Sequence, residues 1–233
     1  MASLLIIGNL GYVGSVLTTY IRGINKDITL VGLDTGYFAN KITSTISPDV
    51  ALDKQIYKDI RNLRAEDLAG YDFIILLAAL SNDPIGNEFE ECTKSINNIA
   101  SLKIASLAAE SGCKRFVFAS SCSIYGLGDN APRQEDADLN PLTAYAKSKV
   151  EVENGLRSIS KTAQMEITIL RFATACGFSS RLRTDLVLND FVMNAVVNKK
   201  IEVKSNGEPW RPLIDVEDMA RALYWASTTA KPK

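Results

Sequence analysis

Short apolar runs alternate with helix-length segments through most of the chain, and this alternation constrains the fold more than any other feature. Strands buried on both faces of a parallel sheet are near-continuous apolar runs, and parallel strands need helical crossovers between them. The pattern therefore predicts an α/β fold with a doubly wound parallel sheet. The predicted strands are Leu4–Ile7, Ile28–Leu33, Gln55–Tyr57, Phe73–Leu77, Phe116–Ala119 and Thr168–Leu170.

Helical patterns fill the segments between these runs. We predict helices over Tyr12–Arg22, Leu63–Leu68, Glu88–Ser111, Leu142–Ser160 and Leu186–Asn198. From about Phe172 the rhythm weakens into the loop-rich stretches "SSRLRTD" and "SNGEPWRP", and a last amphipathic run begins at Val216. We therefore expect one domain over residues 1–171 and a small, separate lobe over residues 172–233.

Composition excludes several classes of partner. The formal net charge is -1 and no block of Lys or Arg is present, which argues against a general electrostatic grip on nucleic acid or on a membrane surface. The longest apolar run is too short to span a bilayer, and the N-terminus shows no leader, so we expect a cytoplasmic protein. Four scattered cysteines and no histidine make a metal site improbable, and reduced thiols are expected.

The stretch "GNLGYVG" places Gly8, Gly11 and Gly14 between the first strand and the first helix. Glycines at such a turn let a pyrophosphate approach bare backbone at a helix N-terminus. Asp34 ends the second strand, where a carboxylate can accept hydrogen bonds from a ribose and would repel a 2'-phosphate. NAD is therefore favoured over NADP, and a glycine turn needed only for packing is the alternative.

Tyr145 and Lys149 lie four residues apart in "PLTAYAKSK", so on a helix they share a face. A nearby ammonium favours phenolate, which would let the tyrosine take a proton from a hydroxyl while hydride leaves for the cofactor. Ser120, Ser121 and Ser123 follow the fifth strand, at the edge where open α/β sheets bind ligands. A solvent-facing helix pair and a polar turn are the alternatives.

These motifs, together with "DIRN", "LLAALS" and "LRFATACG", occur in an order that resembles the extended short-chain dehydrogenase/reductases, the nucleotide-sugar epimerase/dehydratase family. The resemblance covers essentially the whole chain. It implies a Rossmann-like NAD-binding domain over residues 1–171 and a partial nucleotide-sugar-binding lobe, apparently incomplete, over residues 172–233. It also implies that Tyr145 is the catalytic base, that Lys149 lowers its pKa, and that Ser121 is the catalytic serine.

The resemblance assigns further residues by position. Those implied to contact NAD are Gly8, Gly11, Gly14, Tyr12, Val13, Asp34, Asp59, Ile60, Leu77, Ala78, Ala79 and Asn97, besides Tyr145 and Lys149. Those implied to contact a nucleotide-sugar are Ser81, Ser123, Asn189 and Arg211. Without the resemblance, Asp59 would be interpreted as a solvated acid in a loop, and Trp210 as a core residue. The predicted helices Glu88–Ser111 and Leu142–Ser160 resemble the four-helix interface of a homodimer, although helices that merely cover the sheet fit equally well.

Departures from the family narrow the chemistry. Cys122 and Ser123 follow Ser121 where dehydratases carry an Asp-Glu pair, and the chain has no histidine for epimerisation at carbons 3 and 5. Asp215 replaces a family histidine, and family members continue for roughly another third. The leading hypothesis is an NAD-dependent nucleotide-sugar epimerase or oxidoreductase that works through a transient keto-sugar. The alternatives are an NAD-binding relative with little turnover and a non-sugar ketone or alcohol reductase.

Overall fold

The computed structural model describes residues 1–81, 88–126, 131–203, 206 and 210–229. Its centre is a six-stranded sheet in the order β3-β2-β1-β4-β5-β6, and every neighbouring pair is parallel. The strands are β1 Ser3–Ile7, β2 Thr29–Asp34, β3 Lys54–Tyr57, β4 Phe73–Leu76, β5 Arg115–Ser121 and β6 Glu166–Phe172. The six predicted strands and the doubly wound Rossmann-like sheet are confirmed.

Helices follow the strands as predicted. Besides α3, which is described next, they are α1 Tyr12–Ile24, α2 Ala65–Leu68, α4 Ala144–Ser160, α5 Val187–Asn198 and α6 Val216–Thr228. The helix α3 runs without interruption through an α-helical turn Glu90–Thr93, a π-helical segment Lys94–Ala100 and an α-helix Ser101–Glu110. Short 3-10 turns cover Pro48–Ala51, Ile60–Asn62 and Cys122–Tyr125.

Side-chain alternation in the strands divides the core into two layers. In β1, Leu4 and Ile6 pack on one face with residues of α1 and α6, whereas Leu5 and Ile7 pack on the other with residues of α3 and α4. All four side chains are fully buried, because successive strand residues point to opposite faces and both faces are covered. This burial on both sides explains why the strands are continuous apolar runs in the sequence.

The residues after β6 return to the large sheet. Strands β7 Thr174–Cys176 and β8 Leu213–Asp215 form a separate parallel pair. Beyond them α6 packs beside α1, with Leu223 fully buried and Tyr224 edge-on to Tyr20 at a centroid distance of 6.3 Å. The boundary between residues 171 and 172 stays a prediction, but α6 belongs to the core of the first sheet.

The fold brings the carboxyl ends of the parallel strands to one edge. Between β1 and β4 the chain order reverses, which is the position where open α/β sheets bind ligands. The predicted residues of the glycine loop, Asp34, the segment after β4 and the serines after β5 lie at or just beyond strand ends along this edge. No helix in the described part of the chain is long and apolar enough to cross a bilayer.

Candidate active site

The glycine loop between β1 and α1 has no room for side chains at two positions. Gly8 has a φ of +94°, and a Cβ there would lie 2.5 Å from the backbone nitrogen of Ala78. A Cβ on Gly14 would lie 2.4 Å from the carbonyl oxygen of Gly8. Because the obstructing atoms are backbone, neither residue can be replaced without moving the chain. The loop thus keeps bare backbone at the mouth of α1.

The first turn of α1 is left without a capping side chain. Gly11 is the N-cap and offers no side-chain hydrogen bond, and the first turn contains no acidic residue. The amides there, including that of Val13, retain the positive end of the helix dipole for an anionic ligand. The Tyr12 side chain is turned elsewhere, since its hydroxyl donates to the Gly177 carbonyl at 2.8 Å. Any contact of Tyr12 with a phosphate would therefore come from its backbone.

Asp34 lies directly below the glycine loop. Its Oδ2 accepts from the Leu10 amide at 3.2 Å, and its Oδ1 accepts from the Gly36 amide at 3.0 Å. The Thr35 hydroxyl also donates to Oδ1, at the long distance of 3.5 Å. A carboxylate has about four acceptor positions, so about one or two remain for ribose hydroxyls. The contact of Asp34 with a ribose stays a prediction.

Asp59 and Ile60 lie at the end of β3. The Asp59 carboxylate caps the 3-10 turn at the Arg61 amide and accepts from the Arg61 guanidinium, which is the main reason that its pKa is lowered. Ile60 is buried in the core. The structure thus makes Asp59 an ion-paired cap, and its predicted contact with adenine stays a prediction.

The segment after β4 is held from two sides. The amides of Leu77 and Ala78 both donate to the Ile7 carbonyl, at 2.8 and 3.0 Å. Asn97, buried in the π-helical segment of α3, accepts from the Leu80 amide at 2.8 Å and donates to the Leu80 carbonyl at 2.9 Å. These bonds fix the strand end that also carries Ala79, where the cofactor is predicted to pass.

The serines after β5 have three different surroundings. Ser121 Oγ accepts from the Ser123 amide at 3.2 Å and caps the 3-10 turn. Ser120 is buried and donates to Glu153 at 2.6 Å, so it is turned away from the site. Ser123 Oγ is buried and has no hydrogen-bond partner among the described residues. An unpaired buried hydroxyl of this kind is costly, and a ligand hydroxyl would satisfy it.

Lys149 is buried beside Tyr145 rather than exposed on a helix surface. Its side chain is 4% exposed, Nζ donates to the Ala119 carbonyl at 2.7 Å, and Nζ lies 5.4 Å from the centre of the Tyr145 ring. Burial lowers the pKa of Lys149 to about 7, and the charge of Glu153 opposes that shift. The alternative of a solvent-facing pair is therefore wrong for Lys149.

The residues predicted to bind substrate lie in the segments after β6. Asn189 accepts from the Gly177 amide at 3.1 Å and donates to the Tyr12 hydroxyl and the Arg183 carbonyl. Ser81 accepts from Arg183 Nη1 at 2.7 Å. Asn189 thus joins the segment that follows β7, which includes Gly177 and Arg183, to Tyr12 of α1. Its contact with a substrate stays a prediction.

Arg211 is exposed, and its charge reaches the catalytic edge. Burial raises the pKa of the Cys122 thiol, and the charge of Arg211 acts in the opposite direction. Trp210 next to it is 92% exposed, so the reading of that residue as core is wrong. The contact of Arg211 with a diphosphate stays a prediction.

Several polar groups of this region have no motif in the sequence. Asn9, buried below the glycine loop, donates to Gln55 of β3 at 2.6 Å and fills the space that a side chain at Gly32 would need. Glu153, one helical turn beyond Lys149, is fully buried among Ser120, Arg157 and Arg171. The one sign of Glu153 in the sequence is its i, i+4 spacing from Lys149.

Comparison with known proteins gives the family. The sequence model of the NAD dependent epimerase/dehydratase family matches residues 4–233. The chain belongs to this family. UDP-arabinose 4-epimerase 1 of Arabidopsis thaliana is 26% identical over 98% of this chain and 60% of that protein. An Escherichia coli O157:H7 N-acetyl-alpha-D-glucosaminyl-diphospho-ditrans,octacis-undecaprenol 4-epimerase is 30% identical over 67% of this chain and 51% of that protein.

Solved structures agree with this family fold. MoeE5 in complex with UDP-glucuronic acid and NAD has a TM-score of 0.83 and 24% identity, covering 100% of this chain and 74% of that one. UDP-N-acetylglucosamine 4-epimerase from Methanobrevibacter ruminantium M1 has a TM-score of 0.82 and 23% identity, covering 97% of this chain and 72% of that one. This epimerase/dehydratase family chain thus spans only part of the length of the relatives it matches.

Proposed function

We propose that this chain is an NAD-dependent nucleotide-sugar epimerase that works through a transient keto-sugar. The observation that carries the proposal is the burial of Lys149 between the Ala119 carbonyl and the Tyr145 ring, at the strand end that bears Ser121. Burying an ammonium that has no carboxylate in direct contact among the described residues is expensive, so a functional reason for it is expected. A proton-transfer couple supplies that reason.

The residues present fit NAD. Gly8 and Gly14 leave a cradle that a Cβ would obstruct, and the uncapped start of α1 offers amides for the pyrophosphate. Asp34 retains acceptor positions for the adenosine ribose. When bound, NAD would accept a hydride from the sugar carbon and return it. Asp59, Ile60, Ala78, Ala79 and Asn97 are proposed to complete the cofactor site.

Tyr145 is proposed to move the proton. As hydride leaves a carbinol carbon, Tyr145 phenolate takes the proton from the hydroxyl on that carbon, which leaves a ketone. Return of hydride to the opposite face of the ketone carbon, with Tyr145 returning the proton to the oxygen, gives the epimer, and no further acid or base is needed. Protonated Lys149 favours the phenolate form, and Ser121 and Ser123 are proposed to hold the sugar oxygen.

The residues after Ser121 favour epimerisation over dehydration. Elimination needs an acid and a base beside the catalytic serine, and this chain carries Cys122 and Ser123 there. Burial raises the pKa of Cys122, so its thiol stays protonated near neutral pH and cannot accept a proton as a base. The same sparse set of groups is sufficient for reversible hydride and proton transfer.

Arg211 is proposed to bind the diphosphate of the substrate, because a guanidinium can donate two parallel hydrogen bonds to phosphate oxygens. Asn189 and Ser81 are proposed to complete that side of the site. Arg221 offers a matched control for Arg211, since it is exposed and pairs with Asp218 of the same helix.

The homodimer through α3 and α4 is proposed as well, and exposed Ile99 on α3 is consistent with such a contact.

Titration calorimetry tests this proposal. The chain is titrated with NAD and then, in the presence of NAD, with UDP-, GDP- and dTDP-sugars. We expect saturable NAD binding and selective binding of one nucleotide-sugar class, weakened at least tenfold by Arg211→Ala and unchanged by Arg221→Ala. NAD binding with no response to any nucleotide-sugar would contradict the nucleotide-sugar part, and no NAD binding would contradict the whole proposal.

A further inference from the structure

Glu153 is a buried carboxylate for which the proposed reaction has no direct use. It is 0% exposed and lies on α4 one turn beyond Lys149. Oε1 accepts from Ser120 at 2.6 Å, and Oε2 accepts from Arg171 at 2.7 Å and from Arg157 at 3.0 Å. Burial by itself would raise the pKa of Glu153, but the hydrogen bonds from Arg171 and Ser120 outweigh it and lower that pKa. The group therefore stays a charged carboxylate.

Arg171, a partner of Glu153, contacts the turn after β5 and the loop before α4. Arg171 Nη1 donates to the Tyr125 hydroxyl at 2.7 Å and to the Glu135 carbonyl at 2.8 Å. Tyr125 ends the 3-10 turn that Ser121 caps, and Glu135 lies in the loop that leads to α4. One carboxylate thus ties the strand end with Ser121 to the helix with Tyr145 and Lys149.

The charge of Glu153 also acts on Lys149. The elements packed on α4, which carries Lys149, are α3, β5, β6 and the 3-10 turn Cys122–Tyr125; β5 supplies the uncharged Ala119 carbonyl and the Phe118 ring that Lys149 contacts. Within the described part of the chain, Glu153 is the charged group that raises the pKa of Lys149 against burial. The other charged or titratable groups of the cluster are Tyr145, Arg157, Arg171, Tyr125 and Cys122.

We propose that Glu153 is a positioning residue that keeps Lys149 protonated beside Tyr145, and that Arg157 and Arg171 set how much of its charge Lys149 experiences. The inference rests on the proposed function of Tyr145 as the base. Without the carboxylate, Lys149 would lose its proton at lower pH, and a neutral amine no longer favours the phenolate. Tyr145 would then ionise near the ordinary tyrosine pKa.

Two variants, one that removes a negative charge near Lys149 and one that removes a positive charge, distinguish this role from simple structural support. Glu153→Gln keeps the shape and removes the charge, so we expect the apparent pKa of Tyr145 to rise by about one unit. Arg157→Gln removes a half-exposed cation that partly neutralises Glu153, so the same pKa should stay or fall slightly. Glu151→Gln, exposed on the same helix, is the control and should change nothing.

The measurement is an ultraviolet titration of the tyrosinate band of the NAD-bound chain, taken as the difference from Tyr145→Phe. It needs no sugar substrate. If Tyr145 ionises at an ordinary pKa in the unaltered chain, the proposed function fails. If its pKa is lowered there but Glu153→Gln leaves it in place, only the present inference is overturned. Should Glu153→Gln not fold, the double variant Glu153→Gln with Arg171→Met, which leaves no unpaired buried guanidinium, must show the same rise.

Discussion

At the scale of single residues, Lys149 carries a stability cost. Its pKa is about 7 in the folded chain against 10.5 ordinarily, because burial disfavours the ammonium. Between these values the unfolded chain binds more protons, so stability rises with pH, and below pH 7 the full cost of burying the charge is present. A group that costs folding energy at the centre of a site is typical of function rather than of packing.

Lys149→Met should therefore stabilise the chain at low pH. We expect a gain on the order of 2 kcal/mol in the free energy of unfolding at pH 6, and a smaller gain at pH 9. Urea unfolding at the two pH values measures it. Lys147→Met, exposed on the same helix, should change little at either pH. A loss of stability for Lys149→Met that is larger at pH 6 than at pH 9 would contradict this account.

Two glycines of α1 differ sharply in what they tolerate. Gly14→Ala places a Cβ 2.4 Å from the Gly8 carbonyl, so we expect a cost of about 1–3 kcal/mol and weakened NAD binding. A Cβ at Gly23 meets nothing within 4 Å, and Gly23→Ala should stabilise the helix by about 0.5–1 kcal/mol. Urea unfolding and NAD titration of both variants check this pair. Equal effects would show that the loop is not constrained by close approach.

At the scale of elements, one buried arginine joins the lobe segment to the loop after β2. Arg181 donates to the Ala39 carbonyl at 2.7 Å and pairs with Asp49 at 3.3 Å. We expect Arg181→Met to speed amide hydrogen exchange over residues 38–49 at least tenfold, because the loop loses its tether. Arg221→Met, exposed on α6, is the control. Unchanged exchange over residues 38–49 would show that other contacts hold the loop.

Elements that depend on local sequence were predictable, and those that depend on distant partners were not. The strands were predicted because burial on both faces leaves a continuous apolar run in the sequence. The π-helical segment Lys94–Ala100 was not predicted, because no local sequence pattern marks it. Asn97 in this segment is hydrogen-bonded to Leu80, which is 17 residues away in the chain. The two side-chain pairs of the site differ in the same way. The Tyr145 and Lys149 pair can be predicted from its spacing in one helix, whereas the ion pair of Glu153 with Arg171 joins two elements that are brought together only by folding.

The direction of a side chain was equally hidden from sequence. Tyr12 was predicted for its place in the glycine motif, and the structure shows its ring turned toward Gly177 and Asn189. Motif spacing fixes where a backbone lies, whereas a side chain follows the partners that tertiary packing offers it. The cofactor contacts predicted for the glycine loop accordingly rest on backbone groups.

At the scale of the whole molecule, the tail of the chain stabilises the first sheet. Leu223 of α6 is fully buried in the layer formed with β1 and α1. We expect Leu223→Ala to cost about 2–5 kcal/mol and to lower the midpoint of a single cooperative urea transition. Val197→Ala, on the exposed surface of α5, should change stability by less than about 0.5 kcal/mol. A separate early transition for Leu223→Ala would instead indicate that α6 unfolds independently.

The central claim is that Tyr145 moves the proton in a reversible hydride transfer on a nucleotide-sugar. The most direct test incubates the NAD-bound chain with the nucleotide-sugar class found by calorimetry and follows the sugar ring protons by NMR. We expect the epimer to form, and Tyr145→Phe to form it at least about 100-fold more slowly while its affinity for NAD is unchanged. Epimer formation at equal rates in the two proteins would contradict the account.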